Sequence, residues 1–263
     1  MNESFDPGPA ATQLAEAWRS GSLLTELPAA IRPATLSQGY DVQDRLIAML
    51  GESVAGWKLG VGSALQKRQA GIGRSIAGRV LQSCLYREGS TVSIPNAAPI
   101  TIEFEIAYVL SRDVLPEETE VAPLDVVGAV HAAFEIVLSR FTDRRAVGWP
   151  SFAADDAAFH ALVLGAPIDA TRIGELRNSL VVSVDGKEMA RSAIGEDATD
   201  PVAALGDLIA IARERGMRLP KGSVVSTGTV SKPFNVSAAK ARITARYLGT
   251  ELDCRTLVSR PAA

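Results

Sequence analysis

From residue 56 onward the sequence is dominated by short apolar runs that glycines interrupt. The runs with a strand-like composition are residues 56–62, 80–86, 91–94, 100–110, 134–138, 159–164, 180–184, 224–227 and 241–248. They lack the regular alternation of strand and helix that a Rossmann fold or an α/β barrel requires. The pattern therefore predicts an α+β protein whose body is rich in β-structure.

Helices are expected where apolar residues recur at helical spacing or where proline and glycine mark helix ends. These criteria select residues 12–19, 36–50, 123–131 and 201–215. The first two precede all the strand-like runs. We therefore predict an N-terminal helical arm at residues 1–55 and a body at residues 56–263, packed together as one unit.

Composition excludes several functional classes. With 27 Lys and Arg against 30 Asp and Glu, the net charge is -3, which argues against binding nucleic acid or an anionic membrane surface. No run of 18 apolar residues occurs and the N-terminus resembles no secretory signal, so we expect a soluble, cytoplasmic protein. Two cysteines and two histidines are too few for a disulfide framework or a multi-histidine metal site.

Carboxylates form the most suggestive pattern. Glu103 and Glu105 stand two apart in a predicted strand, so their side chains share one face with Cα atoms about 6.5–7 Å apart. Taken alone, this is more often the solvent face of an amphipathic strand. Glu135, however, lies in the apolar run Ala-Ala-Phe-Glu-Ile-Val-Leu, where a carboxylate is costly unless it is paired or binds a metal.

Three such carboxylates suit a hard divalent cation, Mg²⁺ or Mn²⁺, with coordination positions left for a chelating substrate. Lys58, in Gly-Trp-Lys-Leu-Gly, is the candidate acid or base, because an apolar setting lowers the pKa of a lysine. A surface lysine whose aliphatic stem packs on the protein is an equally common interpretation of that segment.

These motifs, in this order, resemble those of the 2-keto-4-pentenoate hydratases and the related 4-oxalocrotonate decarboxylases of the fumarylacetoacetate hydrolase-like superfamily. The similarity runs from about residue 14 to the C-terminus. It includes residues 151–158, where the family has a similar Ala-Asp-Asn-Ala segment, and residues 224–233, where the family has a Thr-Gly-Ser turn. The resemblance implies a mixed β-roll fold and assembly into a homo-oligomer.

The resemblance also implies roles for individual residues. Glu103, Glu105 and Glu135 correspond to the metal ligands, and Lys58 corresponds to an active-site acid or base. The residues expected to contact the substrate are Thr229, through its hydroxyl, Asp156, which stands in place of the family's asparagine, and Arg140. For Arg140, capping of the preceding strand is an open alternative.

The implied activity is the hydration of a short 2-hydroxydienoate, the enol form of a 2-oxo acid similar to 2-keto-4-pentenoate, in the meta-cleavage catabolism of aromatic compounds. Decarboxylation of 4-oxalocrotonate is the alternative, and a catalytically weakened subunit of an oligomer is the rival from another class. Ile76 occupies the position where the family carries an acid, which we expect to make the pocket more apolar. Residues 140–145 are expected to form a solvated loop. The family-like segments place no second basic residue beside Lys58 in the pocket, so hydration is slightly favoured over decarboxylation, with Arg74, Arg79 or Arg140 reaching inward as the open alternative.

Overall fold

The computed structural model describes residues 5–237 and 240–259. The helices in these ranges are α1 (Gly8–Ser20), α2 (Leu36–Leu50), α3 (Ala64–Ala70), α4 (Gly148–Ala154), α5 (Ile173–Ser179) and α6 (Pro201–Glu214). The strands are β1 (Val54–Gly60), β2 (Ile76–Leu81), β3 (Leu85–Arg87), β4 (Thr91–Ile94), β5 (Ile100–Leu110), β6 (Val127–Val137), β7 (Phe159–Ile168), β8 (Val181–Val184), β9 (Lys187–Arg191), β10 (Val224–Thr229), β11 (Phe234–Val236), β12 (Ala241–Tyr247) and β13 (Thr250–Val258). No helix in the described ranges is long and apolar enough to cross a membrane.

The strands form two mixed sheets, which confirms the predicted α+β class. The larger sheet has the order β2-β1-β10-β5-β6-β7-β3, with β11 also pairing with β5, and the smaller has the order β4-β13-β12-β8-β9. Phe104 on β5 joins the two sheets, because its ring lies 5.7 Å from Phe134 on β6 and 5.3 Å from Tyr247 on β12. Since side chains alternate along a strand, Glu103 and Glu105 lie on the opposite face from Phe104.

Helices cover that opposite face. The Thr35 side chain caps α2 by accepting a hydrogen bond from the Gln38 amide, as the sequence predicts. Helix α2 crosses α4 at Gly39, where a β-carbon would lie 2.4 Å from the Pro150 carbonyl oxygen. This close approach holds α4, and Phe152 on it, above β1. The predicted division into residues 1–55 and 56–263 extends beyond the described residues at both ends and stays a prediction.

The helix predicted at residues 123–131 is wrong. Pro123 begins only one short 3-10 turn, Pro123–Val126, and the chain then enters β6. Strand β6 pairs with β5 on one side and β7 on the other. The hydrogen bonds of these two ladders outweigh the local helical signal, which sequence alone cannot reveal.

Two smaller expectations also need correction. The run at 80–86 is not one strand, because a 3-10 turn at Gln82–Cys84 separates β2 from β3. Helix α3, which follows the glycines at 60–62, is not among the predicted helices. Its start is encoded locally, because Ser63 and Gln66 form a reciprocal capping box.

The crossing of α2 and α4 can be tested by replacing Gly39 with alanine. Gly39→Ala should lower the free energy of unfolding by about 1–3 kcal/mol, because the added carbon forces the two backbones apart. Gly206→Ala in α6 is the matched control, since the nearest atom lies 3.6 Å from its β-carbon. It should be neutral or stabilising by up to about 1 kcal/mol in urea denaturation. Equal losses in both variants would contradict the described crossing.

Candidate active site

A row of polar side chains crosses the larger sheet on the face below α4. Lys58 on β1 is in register with Ser226 on β10. Glu103 on β5 lies directly opposite Glu135 on β6. The Ser226 hydroxyl donates a hydrogen bond to Glu105, which ties β10 to β5 on this face. Four separate strands thus bring polar side chains to one place, and three of these strands supply ionisable groups.

Glu103, Glu105 and Glu135 form a compact carboxylate cluster. One oxygen from each lies within 4.8 Å of the others. Glu105 Oε2 accepts hydrogen bonds from Ser226 and from the Gly228 amide at 3.0 Å. Glu105 Oε1 and Glu135 Oε2 are buried and have no hydrogen-bond partner among the described residues. Buried carboxylate oxygens without partners are costly, and a hard divalent cation would satisfy them, so the donor set fits Mg²⁺ or Mn²⁺.

Gly228 is required for this arrangement. Its φ is +95°, a conformation that side chains of L-residues rarely adopt, and a β-carbon would lie 3.0 Å from the Leu59 carbonyl oxygen. The pairing of β10 with β5 is irregular between Ser226 and Thr229. This irregularity turns the Gly228 amide toward Glu105 instead of toward the β-ladder.

The electrostatics of the cluster oppose full ionisation. Burial raises the pKa of Glu105 well above its ordinary value, and the charges of Glu135 and Glu103 raise it further. Burial and the charge of Glu135 also raise the pKa of Glu103. Like charges held this close repel each other. A divalent cation would relieve this repulsion by binding all three.

Lys58 places one positive charge next to the three carboxylates. Its side chain is 2% exposed and its ammonium nitrogen lies 2.8 Å from Glu135 Oε1. Burial alone lowers the pKa of Lys58, but the charges of Glu135, Glu103 and Glu105 outweigh that effect and raise it. The sequence-based expectation of a lowered pKa is therefore wrong for this state, because it considered the apolar surroundings without the three carboxylates.

A cavity of about 460 Å³ opens above Lys58 and Glu103. Phe152 and Trp149 of α4 meet edge to face on one side of it, and the Trp149 indole donates to the Ala70 carbonyl at the end of α3. The remaining lining comes from residues 59–62, Gln66, Gln69, Ala70, Val137, Arg144, Arg145, Ala157, Gly228 and Thr229. The cavity is thus apolar on its α4 side and carries charged groups at its floor and rim.

Arg144 and Arg145 are functional candidates that sequence reasoning missed. Both line the cavity, although residues 140–145 were expected to form a solvated loop. Arg144 donates a hydrogen bond of 3.2 Å to the Thr101 hydroxyl, and its charge opposes the rise in the pKa of Glu103. No local signal distinguishes a pocket-lining arginine from a solvated one. The sequence placed no second basic residue beside Lys58 in the pocket, whereas the structure places these two at the cavity.

Thr229, one of the expected substrate contacts, does line the cavity. Its hydroxyl lies 2.9 Å from the Ser231 carbonyl oxygen and 3.3 Å from that of Phe104. These bonds occupy its donor and stabilise the turn after β10. The expected contact of Thr229 with a substrate carboxylate stays a prediction.

Arg140, expected to contact substrate, lies outside this cavity. Its guanidinium forms an ion pair with the fully buried Asp155, donates to the Phe159 carbonyl at 2.7 Å and stacks on Trp18 at 4.3 Å. These partners hold the end of β6 against the segment that precedes β7. The alternative of strand capping therefore describes Arg140 better than substrate binding.

Asp156 and Ile76 also differ from expectation. Asp156 is fully buried and does not line the cavity, whereas its neighbour Ala157 does. Ile76 is 1% exposed, opposite Gly60 in the β1–β2 pair, and packs into the main core. Ile76 therefore leaves the polarity of the cavity wall unchanged, contrary to the sequence-based prediction.

Comparison with known proteins agrees with this architecture. Residues 79–249 match the C-terminal domain of the fumarylacetoacetate (FAA) hydrolase family. The chain belongs to the fumarylacetoacetate hydrolase family. The resemblance inferred from the motifs is therefore confirmed, and so is the mixed fold that it implied.

Two relatives and one solved structure illustrate what this family member is similar to. It is 28% identical over 207 residues to a 4-oxalocrotonate decarboxylase of Pseudomonas sp., covering 75% of this chain and 77% of the relative. It is 28% identical over 236 residues to a 2-keto-4-pentenoate hydratase of Paraburkholderia phymatum, covering 87% of this chain and 89% of the relative. Its fold matches 4-oxalocrotonate decarboxylase from Pseudomonas putida G7, complexed with magnesium and adipate, with TM-score 0.82 and 21% identity over 94% and 96% of the two chains.

The carboxylate cluster can be tested by substituting glutamine for its glutamates. Glu105→Gln and Glu135→Gln should each weaken Mn²⁺ binding by about tenfold or more, because a hard cation loses one charged oxygen ligand. Calorimetric titration measures this loss. Glu175→Gln, at an exposed helical position, is the control and should bind like the unsubstituted protein. Unchanged affinity in both cluster variants would rule out the cluster as the cation site.

Proposed function

We propose that this protein is a divalent-metal-dependent lyase acting on a small 2-oxo acid or its 2-hydroxydienoate form. The observation that carries the proposal is the cluster of buried Glu105 and Glu135 with partly exposed Glu103 at the floor of a cavity. Lys58 lies 2.8 Å from Glu135 in this cluster. The names of the relatives, a hydratase and a decarboxylase, support the same class of reaction.

The three glutamates would hold Mg²⁺ or Mn²⁺. Such a cation supplies Lewis-acid stabilisation for an enolate that develops on a 2-oxo acid. Magnesium in the structure of the Pseudomonas putida decarboxylase supports this choice of ion. The chain itself supplies the remaining functions, which are proton transfer, substrate orientation and exclusion of water.

Lys58 would move protons on the substrate side of the cluster. Its ammonium is buried at the cavity floor, where it contacts Glu135 and would contact a ligand bound in the cavity. Phe152 and Trp149 cover the cavity and would exclude bulk water around the conjugated chain. Arg144, beside Glu103, would orient the substrate carboxylate by charge-assisted hydrogen bonding.

Hydration of a short 2-hydroxydienoate is the reaction that we place first. Arg144 already bonds to Thr101 and offsets the charge of Glu103, and Arg145 is exposed. Neither arginine is thus a desolvated partner for a second substrate carboxylate. Decarboxylation of a dicarboxylic 2-oxo acid is the second candidate, because both arginines nevertheless line the cavity.

The role of Lys58 predicts the behaviour of Lys58→Met. Turnover should fall by about 10²–10⁴-fold, the usual scale for a positioned acid or base, while Mn²⁺ binding is retained. Steady-state kinetics and calorimetry measure the two quantities separately. Lys187→Met, at an exposed position of β9, should leave both unchanged. Near-normal turnover of Lys58→Met would remove Lys58 from the chemistry.

The choice between the two reactions can be made with two substrates. Incubation of the Mg²⁺-loaded protein with 2-hydroxypenta-2,4-dienoate should give the hydrated product. The decrease in the absorbance of the dienoate measures this reaction. With 2-oxo-3-hexenedioate we expect little release of carbon dioxide. Carbon dioxide release from the dicarboxylate without hydration of the dienoate would reverse the assignment, and Arg145→Met should then raise the KM for the dicarboxylate.

A further inference from the structure

Asp156 is a buried carboxyl group that the proposed reaction does not use. It is 0% exposed, and its Oδ2 has no hydrogen-bond partner among the described residues. Its Oδ1 accepts one hydrogen bond of 2.6 Å from the Arg79 amide. A half-satisfied buried carboxyl requires an explanation, because leaving a buried acceptor unpaired costs free energy.

The backbone holds Asp156 in this position at a conformational cost. Asp156, Ala157 and Ala158 have φ values of +50°, +50° and +60°, which are left-handed conformations that non-glycine residues rarely adopt. Three such residues in succession persist only where surrounding contacts impose them. Ala157, the middle one, lines the cavity. The strained turn therefore lies at the edge of the active site.

Asp156 lies over Gly78, the residue that faces Lys58 across the β1–β2 pair. Gly78 is directly opposite Lys58 in the β1–β2 pair, so positions 58 and 78 share a face with β-carbons about 5 Å apart. A β-carbon at Gly78 would lie 2.5 Å from the Asp156 carbonyl oxygen and 3.2 Å from its Oδ1. Asp156 thus fills the space that Gly78 leaves next to Lys58. The charge of Lys58 favours its ionised form.

The other charged groups around Asp156 have partners of their own. The Arg79 guanidinium pairs with Asp44, and Arg140 pairs with Asp155. Lys58 pairs with Glu135, but Glu135 is also a ligand of the proposed cation site. A cation bound there would compete with Lys58 for the charge of Glu135. The buried ammonium would then need another counter-ion.

We propose that Asp156 is this counter-ion, a positioning residue whose carboxylate balances Lys58 when the three glutamates hold a cation. The inference rests on the proposed cation site. It also explains the left-handed turn at residues 156–158, because this turn holds a carboxyl group on the face of the sheet that Lys58 shares with Gly78. Ile76, which shares this face of β2 with Gly78, cannot supply that charge.

Proton linkage follows from this arrangement. Without a cation, burial raises the pKa of Asp156 to about 7, although the Arg79 amide and the charges of Arg140, Arg79 and Lys58 oppose the rise. Cys84 also interacts electrostatically with Asp156, but its own burial raises the pKa of its thiol, so it is neutral near pH 7. Cation binding should therefore ionise Asp156 and release its proton at neutral and lower pH.

The test compares Asp156→Asn with the unsubstituted protein. Asparagine keeps the acceptor for the Arg79 amide and tolerates a positive φ, so the variant should fold. Mn²⁺ titrations in buffers of different ionisation enthalpy measure protons released per cation. The unsubstituted protein should release up to about one proton more than the variant near pH 6.5, and its Mn²⁺ affinity near pH 8 should be about tenfold higher. Asp44→Asn, which removes a carboxylate from the other side of Arg79, is the control and should behave like the unsubstituted protein.

A second measurement needs no cation. Because the pKa of Asp156 is raised from 3.8 to about 7, the folded state binds its proton more tightly than the unfolded state does. The free energy of unfolding should therefore fall as pH rises through that interval. In Asp156→Asn the free energy of unfolding should fall less over the same interval, because the contribution of Asp156 is absent. Equal proton release and affinity in the two proteins would overturn the counter-ion role. Failure of the unsubstituted protein to bind Mn²⁺ would overturn the cation site, and the role of Asp156 with it.

Discussion

The register of β5 against β6 is the constraint on which the site depends. It places Glu103 directly opposite Glu135 and leaves Phe104 facing Phe134 on the other side of the sheet. A shift of one residue would bring the carboxylates of β5 into the apolar core and move Phe104 toward the cavity. The aromatic contacts between the sheets therefore stabilise the same register that gathers the carboxylates. The packing of Phe104 against Phe134 on one face of the sheet thus determines which carboxylates lie together on the other face.

Bringing three carboxylates together under a cover of helices is electrostatically unfavourable. The chain offsets part of this cost with the Ser226 hydroxyl, the Gly228 amide and the Lys58 ammonium, each of which contacts one glutamate. The raised pKa values of Glu103 and Glu105 show that the compensation is incomplete. Without a cation, fewer charged side chains at these positions would make the folded protein more stable. The cluster is therefore better explained by the binding of a cationic ligand than by a contribution to folding stability.

The elements that could be predicted from sequence are those with strong local signals. Helix α2 has both a helical period and the Thr35 cap, and β5 alternates apolar and polar residues from Ile100 to Ile106. Helix α3 also has a local signal in the sequence, because Ser63 and Gln66 have the spacing of a capping box. Strand β6 was partly predicted as helix because its state depends on two neighbouring strands that are distant in sequence.

The site was predictable to the extent that residue type alone constrains it. A glutamate in an apolar run must find a partner, which is why Glu135 pointed to the cluster. Arginines give no such signal, because their long side chains are common both on surfaces and in pockets. The sequence therefore selected Arg140, whereas Arg144 is the residue that lines the cavity. The surroundings of Asp156 depend on a left-handed turn and on the missing side chain of Gly78, which only the three-dimensional structure combines.

The central claim is that the three glutamates of β5 and β6 form one cation site. Anomalous diffraction from crystals of the protein grown with Mn²⁺ tests it most directly. The account predicts one strong peak with a carboxylate oxygen of Glu103, Glu105 and Glu135 each at about 2.1 Å, the distance typical of small divalent cations. A peak bound elsewhere, with Lys58 still paired to Glu135 and the cluster without Mn²⁺, would contradict it.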